Sequence, residues 1–276
     1  MTNSDLEWSV PVMRAGYAGR GVVYLVVAGF SLYAIWRGGE AKGTAEALGQ
    51  LETTLWGGAV LLAIFVGMVA YAVWRIVDAW YDLEDEGSGA KGMLARVGMV
   101  VTGMLHLAIG VLAFLLLFTS KGDESGESGG GSTVADAMGM IMEWPFGYIL
   151  VSAIGAVTIG AGVYYIAKAV RRSYREKLYA NRFTRKFDPV LRFGVAAQGV
   201  VITIIGGLIL WAGMTANARK AGGMGESFGW LSGQVYGQLL VTGICIGLSA
   251  FAVFLFVNAA YRIVPKVAGD EASSLA

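Results

Sequence analysis

Six long, almost unbroken apolar stretches divide this chain, at roughly residues 16–36, 56–80, 96–118, 146–170, 190–213 and 237–262, with short polar connections between them. A helix crossing roughly 30 Å of hydrocarbon needs about 20 mostly apolar residues, and each stretch is long enough. None has the strict alternation of a barrel strand. Because backbone groups left unpaired in lipid are too costly, the pattern predicts an all-α integral membrane protein with six transmembrane helices.

Small, acidic and aromatic positions recur within this pattern. An aromatic residue followed by glycine opens each even-numbered span, Trp56-Gly57, Phe146-Gly147 and Tyr236-Gly237, with a spacing of 90 residues both times. Eleven positions before the glycine stand Glu46, Asp136 and Glu226, and apolar residues follow at nine and six before it. This predicts a short amphipathic helix on the outer membrane surface in each copy, near 44–52, 133–142 and 226–234. Twenty-one positions after the glycine come Asp78, Lys168 and Asn258.

The odd-numbered spans repeat as Arg14, Gly21, Ala28, then Arg96, Gly103, Gly110, then Arg192, Gly199, Gly206. Seven residues bring a helix back to nearly the same face, so each odd span offers a smooth seam for close packing. The chain therefore reads as a single membrane domain, 1–276, of three two-helix repeats at 11–88, 89–186 and 187–268. Two spans per repeat set all copies parallel, and rotation about the membrane normal relates them. A bundle with pseudo-threefold symmetry is the simplest closed form.

Charge adds an orientation. Of the 21 lysines and arginines, Arg37, Lys42, Lys121, Arg219 and Lys220 fall on one side of the predicted membrane, and the other sixteen fall on the side of the termini. Short cytoplasmic loops hold the basic excess, so both termini are expected in the cytoplasm. The long outer connection is a Gly/Ser-rich run at 122–132. The N-terminal segment carries Asp5 and Glu7 and lacks the basic region of a signal peptide, so the first span is expected to be retained.

Composition narrows the function classes. With 56% hydrophobic and 15% charged residues, the chain lies outside the soluble norm, and 41 glycines against four prolines fit closely packed membrane helices. A net charge of +1 gives no pull toward nucleic acid. One cysteine, Cys245, excludes an internal disulfide, and with one histidine it supplies no usual zinc, haem or iron–sulfur ligand set, so no metal or cofactor is expected. No nucleophile elbow, P-loop, metalloprotease helix or dinucleotide fingerprint occurs, and no catalytic residues are expected.

The run Arg14-Ala15-Gly16-Tyr17-Ala18-Gly19-Arg20-Gly21-Val22-Val23-Tyr24, with Tyr71-Ala72-Val73-Trp74-Arg75-Ile76-Val77-Asp78-Ala79, resembles the bacterial family named domain of unknown function 1206. The resemblance covers nearly the whole chain. It implies three tandem two-helix units and a place in the bacterial cytoplasmic membrane, and it implies no activity. The first unit matches best; Thr102 and Gln198 stand where Arg20 does, and His106 and Ile202 where Tyr24 does.

Candidate residues fall into two polar groups. Arg20, Arg75 and Asp78 lie at similar depth inside spans, where ionisable side chains are costly, and Arg20 either snorkels to headgroups or pairs with Asp78. His106, near the middle of the third span, is a proton-sensing group or a neutral interhelical hydrogen-bonding residue. Gln198 and Asn258 are further intramembrane polar candidates. Glu46, Asp136 and Glu226 form a cation-gathering outer ring or serve only as acidic residues at helix starts. The basic stretch 171–186 is expected to bind anionic lipid. Two functions follow from these features. One is a non-catalytic membrane module acting through contact with lipid, a second copy or another membrane protein, and the other is a small-solute or ion pathway.

Overall fold

The computed structural model describes residues 6–118, 130–267 and 274–275. Residues 1–5, Lys121 and the Gly/Ser-rich run up to 129 lie outside the described residues. Among the described residues six helices are long and apolar enough to cross a membrane: α1 (Ser9–Trp36), α3 (Gly57–Tyr81), α4 (Ala90–Leu116), α6 (Gly147–Arg171), α7 (Arg182–Met214) and α9 (Gly237–Tyr261). Three short helices, α2 (Thr44–Glu52), α5 (Gly130–Met142) and α8 (Met224–Ser232), each precede an even-numbered span. Among the described residues there is no strand, only isolated bridges such as Leu178 with Arg262.

Three helices start earlier than their apolar runs, at Ser9, Ala90 and Arg182 rather than near 16, 96 and 190. Hydropathy marks where lipid ends, whereas a helix continues into water while its first turn is satisfied. Asn181 does this for α7: the Thr184 N–H donates to its side-chain oxygen at 2.8 Å, and its own N–H donates to the Thr184 hydroxyl at 3.0 Å.

The repeated aromatic-glycine pair has a steric cause. A Cβ on Gly57, Gly147 or Gly237 would stand 1.6, 2.0 and 2.0 Å from the carbonyl oxygens of Leu51, Ile141 and Ser232. Only glycine lets the C-terminus of each short helix fold back onto the start of the next span.

Helix neighbours run in the order α4, α3, α1, α9, α7, α6. Glycine contacts identify these seams. A Cβ on Gly21 of α1 would meet the Phe256 ring of α9 at 2.8 Å, one on Gly103 of α4 would meet Cβ of Arg75 on α3 at 3.1 Å, and one on Gly199 of α7 would meet Ile166 of α6 at 2.7 Å. Each odd-numbered span thus packs its glycine seam on an even-numbered one from another repeat. Gly110 and Gly206 extend the seams, against Met68 and Ile159, and Ala28 is fully buried. Within the first repeat α1 packs on α3, and within the third α7 packs on α9. Between α4 and α6, the pair of the second repeat, no comparable packing exists. Their most apolar stretches are 22% and 17% buried, against 39% to 56% for the other four.

Candidate functional site

The polar centre grows from the first repeat. Tyr71 and Arg75 stand four residues apart on α3, hence on one face, and α1 can approach this face because Gly16 lies against the Tyr71 backbone. Arg20 is 4% exposed, and its Nη1 donates to the Tyr71 hydroxyl at 2.8 Å with its guanidinium 4.6 Å from the centre of that ring. From the other side Arg75 Nε donates to the same hydroxyl at 2.9 Å, and its Nη2 donates to Tyr17 at 3.3 Å. One phenol therefore holds two guanidinium groups together.

The pairing of Arg20 with Asp78 considered from the sequence is not the arrangement found. Arg75 stands between them and takes Asp78 itself at 3.1 Å, while the Glu84 N–H donates to the other Asp78 oxygen, also at 3.1 Å. Asp78 is fully buried, so it stays in place only because both oxygens are engaged.

Beyond Asp78, at the end of the bundle that carries the α3–α4 and α6–α7 connections and is called the basic end, a second carboxylate organises the network. Glu84 is buried; it pairs with Arg262 and with Lys177 at 2.6 Å, and it lies 3.6 Å from Arg75. Lys177 also reaches Glu86 at 2.6 Å. Burial alone would raise the Glu84 carboxyl, but Arg262, Arg75 and Lys177 outweigh it and hold the group well below the usual carboxylate range. Lys177 shows the complementary balance: burial lowers it, and Glu84 more than compensates, so it is raised. Asp82 shapes the loop, adopting a left-handed φ of 54° at the end of α3 and accepting from the N–H groups of Glu86 and Gly87.

The members of the repeated set Asp78, Lys168 and Asn258 converge on this region. Asp78 holds Arg75, Asn258 accepts from Arg262 Nη1 at 2.7 Å, and Lys168 lines a small cavity with Tyr17, Arg20, Arg75, Asn258 and Arg262. Two of the residues that stand where Arg20 and Tyr24 do, Gln198 and His106, also turn inward, whereas Thr102 donates to the Gly98 carbonyl of its own helix. Gln198 is buried, and its Nε2 donates to the Tyr24 hydroxyl at 2.8 Å. The His106 ring lies 5.0 Å from that of Tyr71, with Nδ1 2.7 Å from the Thr102 carbonyl, so Nδ1 carries the proton.

The outer acidic residues occupy two kinds of position. Glu46 accepts from the N–H of Gly43 at 3.1 Å and Glu226 from that of Gly223 at 2.8 Å, each at the start of its own short helix. Asp136 has no such place, because α5 begins at Gly130 and its first turn holds no acid. In the basic stretch, Arg175 pairs with Asp188 and Lys177 with Glu84 and Glu86, whereas Arg171, Arg172, Arg182, Arg185 and Lys186 are exposed.

Sequence reasoning missed Glu84, Tyr71, Tyr17 and Arg262 as members of the site. Glu84 sits in the acidic run Asp82-Leu83-Glu84-Asp85-Glu86, which reads as a solvated loop. The available signal was its position on the basic side, where buried cations need partners.

These features define a membrane protein whose six spanning helices come from a repeated two-helix unit. The chain belongs to the family described as Domain of Unknown Function (DUF1206), which matches it three times, over 15–82, 97–172 and 193–262. It is similar to the uncharacterized protein YxxB of Bacillus subtilis (strain 168), 22% identical over 259 residues that cover 92% of each chain. No solved structure matches the chain.

Proposed function

We propose that this chain is a non-catalytic membrane module that works by contact, and that membrane lipid enters its interior between α4 and α6. The observation that carries this reading is the unpacked pair of the second repeat. Three units around an axis normal to the membrane would place α1, α3, α4, α6, α7 and α9 in a ring. Five of its six neighbour pairs pack, including every glycine seam between units. Only α4 and α6 lack a partner on that side, at a depth where the medium is hydrocarbon, so acyl chains are the natural occupant. The excess of basic residues supports a reading in which the termini and the α3–α4 and α6–α7 connections lie on the cytoplasmic side of a bacterial inner membrane, where exposed Arg182, Arg185 and Lys186 would attract anionic headgroups.

The ion-pathway alternative draws less from the geometry, since Glu46 and Glu226 are each engaged by a backbone N–H at the start of their own helix. The test is to reconstitute the chain with a phospholipid bearing a photoreactive acyl chain and to map the labelled peptides. Labels on the inward positions Tyr165 and His106, beside those on outward Val157, are the expected result. Labels confined to outward positions would remove the reading.

A further inference from the structure

We infer that Arg20, Arg75, Lys168 and Arg262 form a binding site for a tetrahedral oxyanion of the phosphate class, presented as free phosphate or as a lipid headgroup. The headgroup form rests on the lipid-contact reading above; the free form does not.

The cavity these residues line measures about 40 Å³, room for roughly three waters or one small oxyanion. Its lining includes four cationic side chains and no carboxylate. The surrounding network does not neutralise them. Among the described residues, Arg20, Arg75, Lys168, Lys177 and Arg262 face Asp78, Glu84 and Glu86, and five cations against three carboxylates leave a surplus of two. Ion pairs assign the surplus: Arg75 has Asp78, Arg262 has Glu84 and Lys177 has both Glu84 and Glu86. Arg20 and Lys168 have no carboxylate within 4 Å among the described residues.

Arg20 supplies an independent observation. It is 4% exposed, yet its Nε has no hydrogen-bond partner among the described residues, and the groups that hold the rest of its guanidinium are the phenols of Tyr71 and Tyr24. A buried guanidinium in that state is a donor short of an acceptor. Arginine forks match phosphate oxygens two at a time, and lysine adds a compact charge. Asn258 does not compete for the ligand, because its amide donates to the Phe254 carbonyl and its oxygen holds Arg262. A surplus of two matches the charge of a phosphate monoester or of free phosphate near neutral pH, and a phosphodiester headgroup would neutralise half of it.

The experiment uses the full chain in dodecyl maltoside micelles, which contain no phosphate. Its thermal stability is followed as inorganic phosphate replaces chloride at constant ionic strength, and separately as phosphatidylglycerol is added to the micelles. Wild type is expected to show a saturable rise with at least one of the two. Arg20→Gln and Lys168→Gln should each weaken it about tenfold or more, and Arg37→Gln, exposed just past the far end of α1, should alter neither response. Lys168→Gln also guards against loss of fold: with one unpaired charge removed, it should melt no lower than wild type without phosphate yet lose the phosphate-dependent rise. A rise with phosphate alone assigns the free anion, and a rise with phosphatidylglycerol alone assigns the headgroup. No rise with either, or a rise that both variants keep, overturns the site. Photolabelled Tyr165 and His106 alongside that failure would leave the lipid-contact reading intact.

Discussion

The second repeat differs from the first and third although all three share one spacing. In the outer two, the paired spans pack on each other and the short helix starts with a glutamate bound to its own backbone. In the second, α4 and α6 stand apart and Asp136 lies beyond the first turn of α5. The first repeat supplies Arg20, Tyr71, Arg75 and Asp78, and the third supplies Asn258 and, just past α9, Arg262. The second contributes Lys168, a cation where its counterparts are an acid and an amide. Tandem copies thus preserve the positions where backbones touch, because a side chain there is sterically excluded. The polar positions are free to diverge, and their divergence puts Lys168 of the second repeat among the arginines of the first and third.

The largest expected effect separates a paired carboxylate from an unpaired cation. Glu84→Gln leaves Arg262 and Lys177 without their shared partner in a buried network, and loss of one member of such a set costs roughly 3–5 kcal/mol. Lys168→Gln should cost nothing by the same measure. Melting of both variants in detergent checks this, and equal losses would mean that the second repeat is as tightly coupled as the first.

Acid should act through the same residue. The folded Glu84 carboxyl is depressed by Arg262, Arg75 and Lys177 against the opposing effect of burial. A depressed group contributes stability that is fully present above its unfolded value, about 4.3, and that is lost as pH falls toward the folded one. The melting temperature of wild type should therefore decline below about pH 4.3, with a shallower decline in Glu84→Gln. Parallel pH profiles would assign the acid sensitivity elsewhere.

Next in size is the seam. Gly199→Leu would drive a side chain into Ile166 and the Gly162 carbonyl, 2.7 and 2.9 Å from its Cβ, and overpacking of this kind costs typically 1–3 kcal/mol. Gly160→Leu, on α6 with nothing within 4 Å, should leave stability unchanged. A thermal melt in which Gly160→Leu is the more damaging change would show that this face of α6 is covered after all.

The six spans were legible because lipid imposes a single rule on every residue at that depth, so hydropathy alone locates them. Where three of them begin was not, because a first turn such as the Asn181 and Thr184 cap of α7 lies beyond the apolar run and hydropathy does not register it, whereas α3, α6 and α9 begin at the expected glycines. The site was partly legible. Arg20, Arg75 and Asp78 stand out as ions within apolar runs, but their pairing depends on Tyr71, an aromatic residue indistinguishable in sequence from packing residues. Glu84 was hidden for a different reason: its burial comes from Lys177 and Arg262, 93 and 178 residues away, and no local pattern records such partners.

The smallest effect concerns the outer acids, where the repeats differ most quietly. Glu46 and Glu226 each accept the N–H of the residue that precedes their helix, at 3.1 and 2.8 Å, and an acid there also faces the positive end of the helix. Replacing each by glutamine retains a weaker acceptor and removes the charge, so each change should cost a few tenths to about 1 kcal/mol. Asp136→Asn removes a charge from the second turn of α5, where that field has faded, and should cost nothing measurable. Liposomes bearing wild type and the triple variant should then show the same cation flux, because carboxylates that serve helix starts gather no ions for a pore. Equal destabilisation by all three single changes would place Asp136 in the same role as its counterparts. A fall in cation flux in the triple variant, with melting unchanged, would restore the ring of carboxylates as a conducting feature and set the lipid-contact reading aside.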